Sequence, residues 1–312
     1  MASSLPNDPI LRRVLGGLMR NRVPGYHFAG NFLQVSFERM TPADCLTTID
    51  VGPHCADPSG QAAAGALCLL ADMALASGVR AAIPQHVRLA TVNMQLQFTG
   101  APAVDRLEAH SGFEGMVQGV AGKQSISRVT ILGGGRPVCF GSGTFMVLPM
   151  PAGATVPPMR PVDPQAPVDL PDPASELQAH EAQIYLRARR MLALARRGGA
   201  PFIERFWGLR TRKTTTGASG SLEAGQQVGN RVGHVQGGIL AGLVTNTARA
   251  ALPQNWTLSS MALTFLSPGH APRVSARARV VHQGRSTAVV QVEVFNQDRR
   301  RVMQGLTTHT AG

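Results

Sequence analysis

The chain has 312 residues, a formal net charge of +12 and an apolar content of 44%. This length exceeds the roughly 100–200 residues of an ordinary domain, so it predicts two domains, each able to bury a core. Only 5% of the residues are aromatic, and the basic residues are not interleaved with Phe or Tyr as in a single-strand binder. We therefore expect no nucleic-acid partner, whereas the positive charge suits a phosphate-bearing small molecule.

The first predicted element is a short basic helix in the segment LRRVLGGLMRNRVPG, which starts at Leu11. Arginines interrupt its apolar residues, so the segment lacks the continuous apolar stretch of a signal peptide, and we expect a cytoplasmic protein. The chain has four cysteines, all in its first half: Cys45, Cys55, Cys68 and Cys139. They show no metal-ligand spacing, so we expect buried free thiols and neither a metal site nor a disulfide framework.

An apolar run from Ala62 to Val79 predicts a long helix. It is nearly long enough to span a bilayer, but it contains small alanines and, near its centre, Asp72. We therefore expect a buried helix of a folded domain and no membrane partner. Segments of alternating apolar and polar residues follow the helix, including NMQLQF, which ends at Phe98. Strands of period two joined by short turns predict an antiparallel sheet.

The chain repeats itself on either side of a proline-dense segment between Pro149 and Pro173. AAIPQ corresponds to AALPQ, NMQLQF to SMALTF, and RPVCFGSG to RRVMQGLT. We predict two units of one α+β fold, 1–148 and 175–312, joined by an extended linker over 149–174. Because a helix that is apolar on nearly all sides must be enclosed, each unit is predicted to wrap an antiparallel sheet around one long helix. The two units are expected to pair as a pseudo-dimer.

Two adjacent glycines, Gly237 and Gly238, begin the long helix of the second half. A glycine inside a helix costs roughly 0.5–1 kcal/mol relative to alanine, so a pair indicates a close approach of backbone or ligand. The first turn of a helix has unpaired N–H groups and a positive dipole, which together can stabilise an oxyanion. Tight packing between the helix and a neighbouring element is the alternative explanation.

These features together resemble the hotdog-fold acyl-CoA thioesterases of the phenylacetate-pathway (PaaI-like) type. The resemblance covers most of 230–312, through GHVQGG, LTFLSPG and ARVVHQGRSTAVVQVEVFNQDRRRV, and more weakly about 57–147. It implies tandem hotdog units that hydrolyse an acyl-CoA thioester at sites shared between paired units. No cofactor is implied beyond the coenzyme A of the substrate. Paired hotdog units commonly associate again, so we expect a homo-oligomer of tandem chains.

The resemblance also implies a catalytic turn. In the family a His-Gly-Gly turn caps the central helix, and a glycine amide, helped by an upstream Asn, polarises the thioester carbonyl. Here the glycine positions hold Gly237 and Gly238, the upstream position holds Asn230, and the histidine position holds Gln236. For Asn230 the formation of a turn is the alternative explanation.

The family further requires a carboxylate on the central helix of the facing unit. The second unit has Thr245 at that position, or Asn246 with a slip of one residue, whereas the first unit has Asp72. Conversely, the first unit has Ala63 and Ala64 in place of the histidine and the first glycine. These complementary losses predict one composite site per chain, with the acid from the first unit and the glycine turn from the second. Asp72 could act as a general base or as a nucleophile, or it could be a structural carboxylate.

Three further residues are implied by the resemblance. Thr91 corresponds to a hydroxyl that helps to hold the attacking water, although packing is an alternative role for a strand threonine. Arg285 and Lys123 follow a glycine of the strand pair that contacts the coenzyme, and we expect them to bind its phosphates. Because the histidine is missing and one site is degraded, a non-catalytic acyl-CoA binding or sensing module is the alternative function.

Overall fold

The structure is a computed structural model that describes residues 5–23, 27–83, 87–117, 123–149, 166–270 and 272–312. Most of the predicted linker, residues 150–165, lies outside the described residues, as do Pro84 and Gln85 of the AAIPQ repeat. The extended linker therefore stays a prediction over that segment.

Each half has the same order of elements in the described residues: two helices, two strands, one long helix and four strands. The first half contains α1 (Pro9–Asn21), α2 (Phe28–Leu33), β1 (Ser36–Met40), β2 (Cys45–Asp50), α3 (Ala64–Ala82), β3 (Val87–Phe98), β4 (Arg106–Met116), β5 (Lys123–Gly133) and β6 (Arg136–Pro149). The second half contains α4 (Ala179–Arg196), α5 (Phe202–Trp207), β7 (Arg210–Thr214), β8 (Gly217–Glu223), a 3₁₀ turn (Gln226–Val228), α6 (Gly237–Ala251), β9 (Trp256–Phe265), β10 (Arg273–Gln283), β11 (Thr287–Asn296) and β12 (Arg301–Ala311). The common order confirms that the chain is a tandem repeat of one fold.

A single antiparallel sheet runs through both halves. In the described residues it has 12 strands in the order β1-β2-β4-β5-β6-β3-β9-β12-β11-β10-β8-β7. The six strands of each half follow the same relative order, and the halves join where β3 pairs with β9. In this central pair Leu96 lies opposite Met261, and Met94 lies opposite Leu263. The predicted pairing of the two units is therefore a continuous sheet.

The long helices α3 and α6 lie against the sheet and against each other. Helix α3 packs on β2, β4 and β5, and α6 packs on β8, β10 and β11. Helix α3 is long and apolar enough to cross a membrane by length and composition, and most of it is buried inside the fold. A Cβ atom added to Gly242 would lie 2.4 Å from the Cα atom of Gly65. The two helices therefore cross with their backbones in contact, which only glycine permits at these positions.

The short helices α2 and α5 form an aromatic contact between the units. The ring centroids of Phe28 and Phe206 are 6.0 Å apart, those of Phe32 and Phe202 are 6.1 Å apart, and those of Phe32 and Phe206 are 5.4 Å apart. All four rings are buried. Aromatic pairs of this kind add about 0.5–1.5 kcal/mol each beyond the area they bury. The sequence pattern predicts a short basic helix at the start of the chain but gives no signal for α2 or α5, so these two helices were not predicted.

The four cysteines are buried free thiols, as the sequence predicts. Burial raises the pKa of Cys55 to about 11 and of Cys139 to about 12. These thiols remain protonated near neutral pH, so they serve as apolar packing groups and not as nucleophiles.

Candidate active site

The carboxylate of Asp72 lies where the two units meet. Its Oδ2 atom accepts a hydrogen bond from Nε2 of Gln236 at 2.7 Å, and its Oδ1 atom accepts one from Oγ1 of Thr91 at 3.0 Å. The residue is only 6% exposed. One partner belongs to the first unit and the other to the second. The structure therefore brings together three residues that the sequence analysis assigned to one composite site.

Gln236 performs two tasks at the start of α6. It is the N-cap residue, and its Oε1 atom accepts a hydrogen bond from the backbone N–H of Ile239 at 3.0 Å. Because the oxygen is used by the cap, the amide nitrogen is the group that faces Asp72. Gln236 thus supplies both a helix cap and a donor to the carboxylate, without a titratable proton.

Gly237 is the first residue of α6 and lies directly beside the carboxylate. A Cβ atom added there would lie 3.0 Å from Oδ2 of Asp72 and 3.2 Å from Cε1 of Phe265. The N–H groups of a first helical turn have no acceptor within the helix. Among the described residues the N–H of Gly237 has no acceptor, so the position combines an available backbone donor, close access to Asp72 and an aromatic wall. Phe265 is the last residue of the SMALTF segment, and nothing in the sequence pattern indicated its contact with the site.

Gly238 has a different role from its neighbour. A Cβ atom added there would lie 2.4 Å from Cα of Leu69 and 2.5 Å from the carbonyl oxygen of Cys68, so α6 could not approach α3 with any other residue. Gly238 is buried, and its backbone N–H faces the carboxylate of Asp72. The structure thus gives Gly238 the packing role that was the alternative explanation, and its contact with substrate stays a prediction.

The environment of Asp72 shifts its ionisation toward neutral pH. Burial raises the pKa of Asp72 to about 6, while hydrogen bonds from Thr91, Gln236 and the Gly238 backbone oppose the rise. A carboxylate with this pKa is ionised at pH 7 yet accepts a proton readily, which is the property of a general base.

Asn230 closes the loop that leads into α6. Its Oδ1 atom accepts hydrogen bonds from the backbone N–H groups of Val232 and His234, both at 3.0 Å. In the first unit Asp57 forms the same turn, because its Oδ1 atom accepts hydrogen bonds from the backbone N–H groups two and four residues ahead. No hydrogen bond joins the Asn230 side chain to Asp72 within the described part of the chain. Because the first unit keeps this turn where it has lost the glycine, the structure supports turn formation as the role of Asn230.

Comparison with known proteins identifies the fold. Residues 236–303 match the family model described as the thioesterase superfamily. A protein of unknown function with a hot dog fold from Alicyclobacillus acidocaldarius is 11% identical, covers 92% of this chain and 98% of its own, and has a TM-score of 0.55. A putative thioesterase from Novosphingobium aromaticivorans is 16% identical, with coverages of 89% and 98% and a TM-score of 0.54. The chain is a tandem hotdog protein. No curated protein matches it in sequence.

The two predicted phosphate-binding residues lie at different places in the tandem hotdog. Lys123 is the exposed first residue of β5 and lies opposite Val147, which in turn lies opposite Leu89 of β3. Leu89 is two residues from Thr91. Lys123 is therefore at the Asp72 end of the first hotdog unit, as its predicted role requires.

Arg285 lies far from Asp72 along the sheet. It belongs to the turn before β11. In this turn the carbonyl of Ser286 accepts a hydrogen bond from the N–H of Ala311. Ala311 in turn lies opposite Trp256, at the start of β9. At the opposite end of β9, the ring of Phe265 contacts the Cβ position of Gly237. Ten strand residues span about 30 Å. This placement does not support the predicted binding of coenzyme A phosphates by Arg285 when the thioester of the substrate lies at Asp72.

Among the described residues, the second cleft between the hotdog units lacks the corresponding chemistry. The hydroxyl of Thr245, at the position equivalent to Asp72, donates to the carbonyl of Ala241 at 3.0 Å. The N-cap residue of α3, Ala63, makes no side-chain cap. Nearby, a Cβ atom added to Gly65 would lie 2.6 Å from the ring of Trp207, which is fully buried. An indole ring thus covers the start of α3, a feature that sequence comparison of the repeats did not reveal.

Proposed function

We propose that this chain hydrolyses an acyl-CoA thioester to the free acid and coenzyme A, at one composite site per chain. The observation that carries the proposal is the contact between Asp72 of the first unit and Gln236 at the start of α6 in the second. A buried carboxylate with a pKa of about 6 lies beside the backbone N–H of Gly237, which has no acceptor among the described residues, and the pair provides a general base and an oxyanion donor. The thioesterase superfamily match over 236–303 supports the same class of reaction.

In the proposed reaction, the carbonyl oxygen of the thioester accepts a hydrogen bond from the N–H of Gly237. Asp72 takes a proton from water, and the water oxygen attacks the carbonyl carbon. The carbon–sulfur bond then breaks, and coenzyme A leaves as the thiolate, which takes the proton held by Asp72 to give the thiol and regenerate the carboxylate. A preorganised donor of this kind lowers the barrier by about 3–4 kcal/mol. Thr91 and Gln236 fix the orientation of the carboxylate throughout.

Direct attack by Asp72 on the carbonyl carbon, with an anhydride intermediate, uses the same geometry. A single turnover in ¹⁸O-water detects an anhydride that is hydrolysed at the aspartyl carbon. Attack by water places the label in the released acid, whereas hydrolysis of an anhydride at the aspartyl carbon places it in Asp72.

The proposal is tested by the release of free thiol from a panel of aliphatic and aromatic acyl-CoA thioesters. Asp72→Asn and Gly237→Ala are each expected to lower turnover at least about 100-fold. Thr245→Val is the matched control, since it changes the equivalent residue of the second cleft, and it should leave turnover unchanged. Unaffected turnover in Asp72→Asn contradicts the proposal. Tight binding of acyl-CoA without turnover by the unaltered protein favours a binding or sensing module instead.

A further inference from the structure

Basic side chains from both units lie on the segments that lead into the Asp72 site. Arg88 precedes Thr91 by three residues on β3, and His234 precedes Gln236 by two residues at the entrance to α6. Arg231 lies in the same loop as His234. Three residues of a strand span about 10 Å. The backbone of Arg88 therefore lies about 10 Å along β3 from Thr91, a separation that leaves room for a different part of one ligand.

These basic groups are close enough to influence one another. Besides burial, the positive charges of His270 and Arg88 lower the pKa of His234. Burial lowers the pKa of Arg80 to about 10, and the charge of Arg231 contributes to this shift. Arg80 also donates to the backbone carbonyl of the residue before Arg88 at 3.0 Å. We call the four residues Arg80, Arg88, Arg231 and His234 the basic cluster.

The basic cluster contains a donor that lacks an acceptor. Within the described part of the chain, Nε of Arg88 is buried without a hydrogen-bond partner. No ion pair between described residues involves Arg88 or His234. Like charges repel at short distance, and a buried donor without an acceptor is unfavourable. An anionic ligand with several acceptor oxygens would relieve both effects.

We propose that the basic cluster binds phosphate groups of the nucleotide portion of the substrate while its thioester lies at Asp72. This inference rests on the proposed function, and it names the feature that would select a nucleotide-bearing thioester over a phosphate-free one. Guanidinium groups bind phosphate through pairs of charge-assisted hydrogen bonds. Both units contribute, since Arg80 and Arg88 belong to the first and Arg231 and His234 to the second. The cluster thus replaces Arg285 as the expected phosphate contact of this site.

The experiment compares acyl-CoA with acyl-pantetheine, which carries the same acyl group and no phosphate. In the unaltered protein kcat/KM should be higher for acyl-CoA, and Arg88→Gln should lower this preference at least about tenfold, mainly through KM. Arg212→Gln, which removes one exposed arginine from the edge strand β7, is the matched control and should keep the preference. Turnover of acyl-pantetheine shows that the variant is folded.

If Arg88→Gln and the unaltered protein prefer acyl-CoA over acyl-pantetheine equally, the proposed role of the basic cluster is overturned. The proposed hydrolysis is then unaffected. Failure of the unaltered protein to hydrolyse either thioester overturns the proposed function instead. In that case calorimetry with adenosine 3′,5′-bisphosphate still tests the cluster. Binding that weakens at least about tenfold in Arg88→Gln, and not in Arg212→Gln, supports it. Binding that is absent, or equal in all three proteins, overturns it.

Discussion

Replacing Asp72 with asparagine is expected to stabilise the fold at pH 7 while it abolishes turnover. Burial raises the pKa of this carboxyl from 3.8 to about 6. At 1.36 kcal/mol per pH unit, the ionised side chain costs the folded protein about 3 kcal/mol at neutral pH. Asparagine has no charge and retains an oxygen that can accept the hydrogen bond from Gln236. About 3 kcal/mol is an upper limit for the gain, because the buried amide is also polar.

The sign of the effect sets its pH dependence. The pKa is higher in the folded than in the unfolded protein, so between about pH 4 and pH 6 the folded protein binds more protons. The contribution of Asp72 to stability is therefore lost as the pH rises through this window and stays constant above it. The asparagine variant lacks this loss.

The assay is urea unfolding of both proteins from pH 4 to pH 7.5, followed by tryptophan fluorescence. The difference in the free energy of unfolding should grow in favour of the variant up to about pH 6 and then level off. This prediction is refuted if the variant is less stable than the unaltered protein at pH 7 and shows the same pH dependence. In that case the ionised Asp72 does not destabilise the folded protein.

Four further predictions follow from the same geometry. The value of kcat/KM for an acyl-CoA should fall tenfold per pH unit below about pH 6, and a flat profile down to pH 5 would exclude Asp72 as the base. Gly237→Ala should lower kcat strongly, and it should cost about 1 kcal/mol of stability because its methyl group would lie 3.0 Å from the Asp72 carboxylate; full activity would mean that no substrate atom approaches this backbone. Gly238→Ala should destabilise the fold by about 3 kcal/mol or more in urea unfolding, because its methyl group would meet the backbone of α3; a small effect would show that α3 and α6 are farther apart. Asn230→Ala and Asp57→Ala should each cost about 1 kcal/mol of stability, and a selective loss of kcat in the former would restore a catalytic role for Asn230.

The duplicated fold could be predicted because its signals are repeated and long. The apolar helix and the strands ending at Phe98 and Phe265 occur in the same order in both halves, and strict periodicity specifies the type of each element. The helices α2 and α5 could not be predicted in the same way. Six residues make fewer than two helical turns, so phenylalanines such as Phe28 and Phe202 show no period, although they pack across the unit contact.

The centre of the site was also predictable, for a chemical reason. A carboxylate such as Asp72 in an apolar helix must find polar partners, and the opposite losses in the two halves indicated which helix provides them. The structure places Gln236 and Thr91 within hydrogen-bond distance of it. The conformational role of a residue such as Asn230 was harder to predict, because one sequence pattern suits both a turn and an active-site amide.

The periphery of the site depends on which ends of the strands come together. Arg285 has a suggestive local motif, but the antiparallel pairing of β3 and β9 places the start of β9 away from Asp72. The same pairing and the crossing of α3 and α6 bring Arg88 near His234 from the other unit. Contacts of this kind join residues far apart in sequence, and no local pattern encodes them.

Two unequal units are proposed to form one working site, and a crystal structure of Asp72→Asn with an uncleaved acyl-CoA would reveal where the substrate binds. We expect one ligand per chain, with its thioester oxygen at the N–H of Gly237 and its acyl carbon beside residue 72. A ligand seated in the cleft of Thr245 and Trp207, or equal occupancy of both clefts, would contradict it.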